Sequence, residues 1–314
     1  TFGFPIDLTE IILEERNYKL DKKAFQTEMD QSKERSKKTW KSSTQIDQSE
    51  YFSLLEQKGP TKFIGHDEET SKSSLIHLLS FNDQQDILFF DQTPFYGESG
   101  GQVGDVGIIK DSNSTLRISV LDVIKPIPQL HGHIVNKGHN LSMNSAYELV
   151  VDSSKRSLVS RNHSATHLLQ AALIKTLGDH VKQAGSLVTP SKLRFDFTHP
   201  NSLSREELSS VEKLINDQIR RNLDVVATNM SKDDAIKSGA LAIFGEKYGD
   251  KVRVLKMGNF STELCGGIHV RNTSEISIFK ITSESSLSSG IRRIEAITSS
   301  AAFDYLSACA STIN

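Results

Sequence analysis

The sequence predicts an α+β protein in three successive parts: a short helical N-terminal segment, a small β-barrel-like subdomain, and an α/β sandwich. Three observations carry this. Apolar residues recur at helical intervals through Leu158, Ala165, Leu168, Leu169, Ala172 and Leu173. Short apolar segments punctuated by Gly, Asn, Asp and Pro fill much of residues 51–151, and the rest mixes both periods. The parts are placed at 1–42, 43–152 and 153–314. At 314 residues the chain can bury a real hydrophobic core, as one large domain or two to three small ones.

In chain order, Asp7 with Glu10 fits a capping pattern ahead of Ile11, Ile12 and Leu13, and Asp21 can cap a helix that carries Phe25 and Met29 on one face. That helix runs into Lys33, Arg35, Lys37, Lys38 and Lys41, with Glu34 the only acid among them. Such a run is either a solvated face or a nucleic-acid contact. Ser42 to Glu50 is polar and reads as a linker. Strands are then expected at Ile87–Phe90, Gly107–Ile109, Leu116–Leu121 and Tyr147–Val151, spaced as in a small barrel or sandwich. The following helix stops at Gly178. A second starts at Ser204, with Glu207 completing a capping box, and turns Leu208, Val211, Leu214, Ile215 and Ile219 inward. Strands at Val252–Leu255 and Ile276–Ile281 and a last helix near Ala301 complete the reading.

Composition bounds the function. A hydrophobic fraction of 37% and a charged fraction of 24% are those of a globular protein. Basic residues (37) and acidic residues (39) leave a net charge of -2, which excludes a global pull on nucleic acid and requires local basic patches. No apolar run reaches the roughly 18–20 residues of a membrane span, and Thr1–Pro5 has no basic leader. The missing initiator Met leads us to expect a piece of a longer chain. Two cysteines, Cys265 and Cys309, make no disulfide framework and point to a reducing compartment.

Four residues carry the chemistry. His163 and His167 stand at i and i+4, on one helix face. Cys265 and His269 flank Gly266 and Gly267, whose freedom lets a tight loop turn both side chains one way. Three imidazoles and one thiolate suit tetrahedral Zn2+; the alternative is two unrelated pairs. Ser164 stands where metalloprotease signatures have Glu, which disfavours peptide hydrolysis by that route. Four protein ligands also fit a closed structural site. In Asp91–Gln102 the glycines let backbone N–H groups approach an anion or carbonyl, and Thr93 and Ser99 add hydroxyls; an irregular turn is the plainer reading. His131 and His133 share one strand face, and Cys309 is expected to pack against the core.

Together these motifs resemble the editing region of alanyl-tRNA synthetases. Arg161-Asn162-His163-Ser164-Ala165-Thr166-His167-Leu168-Leu169 is similar to the family's histidine helix, and Gln183–Val188, Leu193–Phe197, Phe244–Asp250, Thr262–His269 and Gly290–Ile297 follow in the family's order. Thr93–Gln102 resembles its glycine motif, and Gly3–Thr9 the end of its helical tRNA-recognition region. The resemblance covers nearly the whole chain. Ile268 and Ser299 depart from it, where the family usually has Thr and Gly. Threonyl-tRNA synthetases share the HxxxH and CxxxH pattern, but the glycine motif and opening segment favour the alanyl family. Free-standing alanyl-tRNA editing proteins are the nearer alternative. Nothing resembles the family's ATP-binding core, so an internal piece without aminoacylation activity is expected.

The resemblance implies hydrolysis of the aminoacyl ester of Ser-tRNA(Ala) and Gly-tRNA(Ala). An alanine pocket separates substrates that differ by one methylene or hydroxyl by only about 1–3 kcal/mol, so a second hydrolytic site is the physical remedy. On this reading His163, His167, Cys265 and His269 hold zinc, and Cys265 and Gln183 act on the ester or its water. Thr93 contacts the serine hydroxyl, and Arg292, Arg293, Lys37 and Lys38 contact phosphates of tRNA(Ala) near its acceptor stem and 3′ end. Adjacent strand arginines point opposite ways, so at most one of Arg292 and Arg293 would face RNA. The implied location is cytoplasmic, or mitochondrial if a targeting peptide lies outside this chain. A tRNA-binding module with a purely structural zinc, and a generic zinc hydrolase, remain as alternatives.

Overall fold

Among the described residues the first element is a helix, which begins at the end of the expected linker and runs into the part expected to hold strands. The computed structural model describes residues 48–111, 115–241 and 250–313; the helices expected before residue 42, with Lys37 and Lys38, lie outside them. Helix α1 (Gln48–Lys58) seats Tyr51, Leu54 and Leu55 against Ile87, Phe89, Ile127 and Leu130. Spacings of three and four put those side chains on one face, which the polar residues between them obscured in the sequence.

Eight strands follow: β1 (Lys62–Phe63), β2 (Thr70–Ser80), β3 (Gln85–Phe90), β4 (Gln92–Thr93), β5 (Gly107–Asp111), β6 (Arg117–Ile124), β7 (Gly132–Asn136) and β8 (Ala146–Val151). Six close an antiparallel barrel in the order β2-β3-β7-β6-β5-β8, while β1 and β4 pair in parallel beside it. Alternation drives closure: in β6, Ile118 and Val120 point into a core with Leu75, Phe90, Ile109 and Leu149, while Arg117 and Ser119 face out. Strand β2 is not among the segments named from the sequence; its polar start, Thr70–Ser74, is held extended by pairing with β8, and its later residues pair with β3.

Helix α2 (Ser153–Leu177) begins at Asp152, whose carboxylate accepts from the Lys155 N–H, and ends at Gly178, whose positive φ of 110° suits glycine. Then come β9 (Gln183–Val188), β10 (Leu193–Thr198), α3 (Arg205–Arg220), β11 (Val225–Ser231), α4 (Lys232–Lys237), β12 (Lys251–Met257), β13 (Ser261–Leu264), a 3-10 turn (Thr273–Ile276), β14 (Phe279–Ser288), β15 (Ile291–Thr298) and α5 (Ser299–Ile313). The Ser204–Glu207 capping box opens α3 as expected. A strand was expected from Ile276, but Ser277 adopts φ 69° and delays it to Phe279.

Two sheets, β14-β15-β10-β9 and β11-β12-β13, share one core with α2 and α3, built on Leu168, Leu169, Phe195, Phe197, Ile215 and Met257. From Asn162 to Leu173 every α2 residue is buried. Polar side chains in that stretch therefore need partners inside the protein. Cys309 on α5 is exposed, which corrects the expectation that it packs against the core. Among the described residues no helix is long and apolar enough to cross a membrane.

Helix α2 is tied to the barrel by a buried ion pair. Arg156 on α2 pairs with Asp105, both buried, and donates to the backbone oxygens of Gly65, Glu68 and Pro94. Gln102 forms a parallel bridge with Val188 at the end of β9, which docks the glycine motif onto the four-stranded sheet.

Candidate metal centre

Helical spacing sets His163 and His167 one turn apart on α2, with rings stacked at 5.3 Å. The loop after β13 brings Cys265 and His269 to the same face. The four donor atoms lie within 4.8 Å of one another. Cys265 Sγ is 3.5 Å from His163 Nε2 and 3.2 Å from His269 Nε2. Tetrahedral zinc with N and S ligands at their usual bond lengths requires N···S edges of about 3.5 Å, so the donor set fits.

The other ring nitrogens are all engaged. His163 Nδ1 contacts Gln102 Oε1 at 2.7 Å, His167 Nδ1 contacts Glu263 Oε2 at 2.6 Å, and His269 Nδ1 contacts Ser164 Oγ at 3.2 Å. Each Nε2 is thereby left for the cluster centre, the arrangement by which outer hydrogen bonds orient metal-ligating imidazoles. His167 Nε2 is buried without a hydrogen-bond partner. Such an orphaned nitrogen in a set of soft and borderline donors is what a bound cation would satisfy.

Electrostatics favour the thiolate, while His167 must give up a proton before its Nε2 can ligate. Burial opposes ionisation of the Cys265 thiol, but His163, His269 and His167 together hold its pKa well below the ordinary thiol range. Burial takes His269 down to about 3. His167 is pushed down by burial but carried up to about 10 by the Glu263 carboxylate and Cys265. The centre thus favours a thiolate, the form of cysteine that ligates metals.

Several of these partners carried no assigned role in the sequence. Glu263 lies two residues before Cys265 in a buried strand, and that burial is the signal that could have found it. Gln102 closes the glycine motif. Arg253 on β12 donates to the Cys265 and Gly267 carbonyls at 3.0 and 3.1 Å, bracing the CxxxH loop. Beside the cluster lies a cavity of about 220 Å³, lined by His163 and Cys265, by Tyr96, Ser99 and Gly100 of the glycine motif, and by Lys125, Lys251 and Arg253.

Other expected site residues lie elsewhere. Thr93 is fully buried; its hydroxyl bonds His133 Nε2 at 2.8 Å and accepts from the Phe95 N–H. Its hydroxyl is thus engaged inside the barrel rather than on the wall of that cavity. His133 takes part in that network and joins no metal-ligand group among the described residues, nor does His131. Arg293 makes a two-point ion pair with Asp196, and Arg292 pairs with Glu284 at 2.6 Å. Both guanidinium groups are thus paired with carboxylates within the protein. Gln183 heads β9, bonded to Ser186 Oγ at 3.3 Å, and Ser186 in turn contacts the Gly100 carbonyl. Ile268 contributes its backbone N–H to Gln102 Oε1. Ser299, where the family usually has Gly, sits at φ 56°, a conformation glycine adopts without strain.

Residues 1–155 match the family described as "tRNA synthetases class II (A)", and residues 252–295 match the "Threonyl and Alanyl tRNA synthetase second additional domain". This defines the class as class II tRNA synthetase. Among curated relatives, the alanine–tRNA ligase of Sphingopyxis alaskensis is 44% identical over 98% of the chain, that of Parvibaculum lavamentivorans 43% over 98%, and that of Rickettsia akari 44% over 95%. The chain belongs to the alanyl-tRNA synthetase family. It spans about a third of each relative's length: 36%, 36% and 35%.

Proposed function

We propose that this chain carries an editing activity that hydrolyses the aminoacyl ester of Ser-tRNA(Ala) and Gly-tRNA(Ala). The observation that supports it most is the convergence of His163, His167, Cys265 and His269 beside a cavity that His163 and Cys265 line together with Lys125, Lys251 and Arg253. Water adds to the ester carbonyl, the bond to the ribose oxygen breaks, and free amino acid and an uncharged 3′ end result. The reaction is downhill and needs no ATP.

His163, His167, Cys265 and His269 would hold zinc, which when bound supplies orientation or polarisation of the ester carbonyl. The chain's own residues do the rest. Lys125, Lys251 and Arg253 offset the charge of the entering tRNA 3′ strand. Ser99 offers a hydroxyl on the cavity wall where Thr93 does not, and is our candidate partner for the serine side chain. A site that hydrogen-bonds this hydroxyl disfavours alanine, which would leave the buried polar groups unpaired. Gln183 orients water or the ester through the Ser186–Gly100 link to the glycine motif.

The test offers the chain seryl-, glycyl- and alanyl-tRNA bearing the alanine acceptor stem. Seryl and glycyl esters should be cleaved faster than alanyl, and His167→Ala and Cys265→Ala should each lower the rate on the order of 10²-fold. Equal turnover of the three substrates, or full activity in both variants, contradicts the proposal. RNA binding with zinc but no deacylation would identify a structural zinc module instead.

A further inference from the structure

Gln102 joins three segments that the sequence holds far apart. Its side chain is fully buried. The amide oxygen Oε1 accepts from His163 Nδ1 at 2.7 Å and from the Ile268 N–H at 2.9 Å. Its backbone exchanges hydrogen bonds with Ser99, and neighbouring Val103 and Gly101 bond both ways with Val188 on β9. One residue thus connects the glycine motif, the histidine helix α2 and the CxxxH loop.

These contacts fix a protonation pattern. A backbone N–H can only donate, so Ile268 requires the oxygen of the Gln102 amide, not its NH2, to face it. That same oxygen can only accept, so His163 Nδ1 must carry a proton. A neutral imidazole protonated at Nδ1 leaves its lone pair on Nε2, the nitrogen 3.5 Å from Cys265 Sγ. Gly267 permits the approach: a Cβ there would lie 2.2 Å from His163 Cε1 and 2.9 Å from Gln102 Oε1.

We propose that Gln102 is a positioning residue of the metal centre: it sets the His163 tautomer and pins the CxxxH loop through the same oxygen. Metal binding and docking of the glycine motif are therefore coupled. The inference rests on reading the cluster as a metal centre, and the experiment separates the two.

The probe is cobalt(II), titrated against a competing chelator and followed by its thiolate charge-transfer absorption, with melting temperatures taken with and without cobalt. Gln102→Met keeps the side-chain length but removes the acceptor; Gln102→Glu retains an acceptor. Gln102→Met should weaken cobalt affinity about 10–100-fold and shrink the cobalt-induced rise in melting temperature, while Gln102→Glu stays within a few-fold of wild type. Variants that melt lower by the same amount with and without cobalt, at unchanged affinity, would overturn the role of Gln102 and leave the metal centre standing. A wild-type chain that binds no cobalt through its thiolate would overturn both. Ring-nitrogen NMR of His163 in the wild-type chain before cobalt is added decides the matter even if Gln102→Met does not fold. A proton on Nδ1 is expected, and an Nδ1 that carries none refutes the assignment.

Discussion

Glu263 accepts a hydrogen bond from His167 Nδ1 at 2.6 Å, with both side chains buried where α2 meets β13. Its second oxygen is held by the Ser261 hydroxyl at 2.8 Å, so the carboxylate is clamped at both ends. Glu263→Gln keeps the shape but removes the charge that steadies His167 and should weaken zinc binding about tenfold. Glu263→Ala should weaken it about 10–100-fold. Chelator competition measures both, and unchanged affinity in Glu263→Ala would show that the contact does not orient the ligand.

The two glycines of the CxxxH loop should respond differently to one added methyl. At Gly267 a Cβ would fall 2.2 Å from His163 Cε1 and 2.5 Å from its Nδ1, whereas at Gly266 it meets nothing within 4 Å. Gly267→Ala should displace His163 and lower zinc affinity by at least about tenfold, with Gly266→Ala near wild type. Equal affinities in the pair would contradict the loop geometry.

Arg156 and Asp105 form a buried ion pair that fastens α2 to the barrel, and Asp105 also accepts from the Tyr96 N–H at 2.7 Å. Removing one partner leaves the other charge uncompensated. Arg156→Met is expected to cost about 3–5 kcal/mol of stability in urea unfolding, and adding Asp105→Asn should recover part of the loss. No recovery in the double variant would place the cost in packing instead.

Acid should loosen the barrel before most carboxylates titrate. Burial lowers His131 to about 3 and His133 to about 4, with Lys125 the next contributor at His131. Both histidines are neutral in the folded protein, while the unfolded chain takes up protons near pH 6.5. Their contribution is therefore fully present above pH 6.5 and is lost as pH falls toward 4 and then 3, by at most about 1.4 kcal/mol per pH unit for each group. His131→Phe, which can retain the stacking on Phe63, should flatten the decline between pH 6 and 4.5. An unaltered slope in urea unfolding over that range would show that His131 is not its source.

The parts legible in sequence were those written in short-range spacing. The i and i+4 histidines, the glycines between Cys265 and His269, the Ser204–Glu207 capping box and the stop at Gly178 each act through neighbours a few residues away. What stayed hidden depends on contacts across the fold. Glu263 meets His167 over 96 positions and Gln102 meets Ile268 over 166, so no local pattern announces either. Thr93 looked available because its partner His133 lies on another strand, and Arg292 and Arg293 looked free because Glu284 and Asp196 reach them only through sheet pairing. Helix α1 was hidden by its polar residues, since its apolar face gains meaning only against the barrel surface that receives it.

X-ray absorption at the zinc edge, on chain purified with its metal, tests most directly whether these four side chains share one ion. The account predicts one zinc per chain, with one sulfur at about 2.3 Å and three nitrogens at about 2.0–2.1 Å, and loss of the sulfur shell in Cys265→Ala. A first shell of oxygens alone, or a zinc spectrum unchanged by Cys265→Ala, would contradict it.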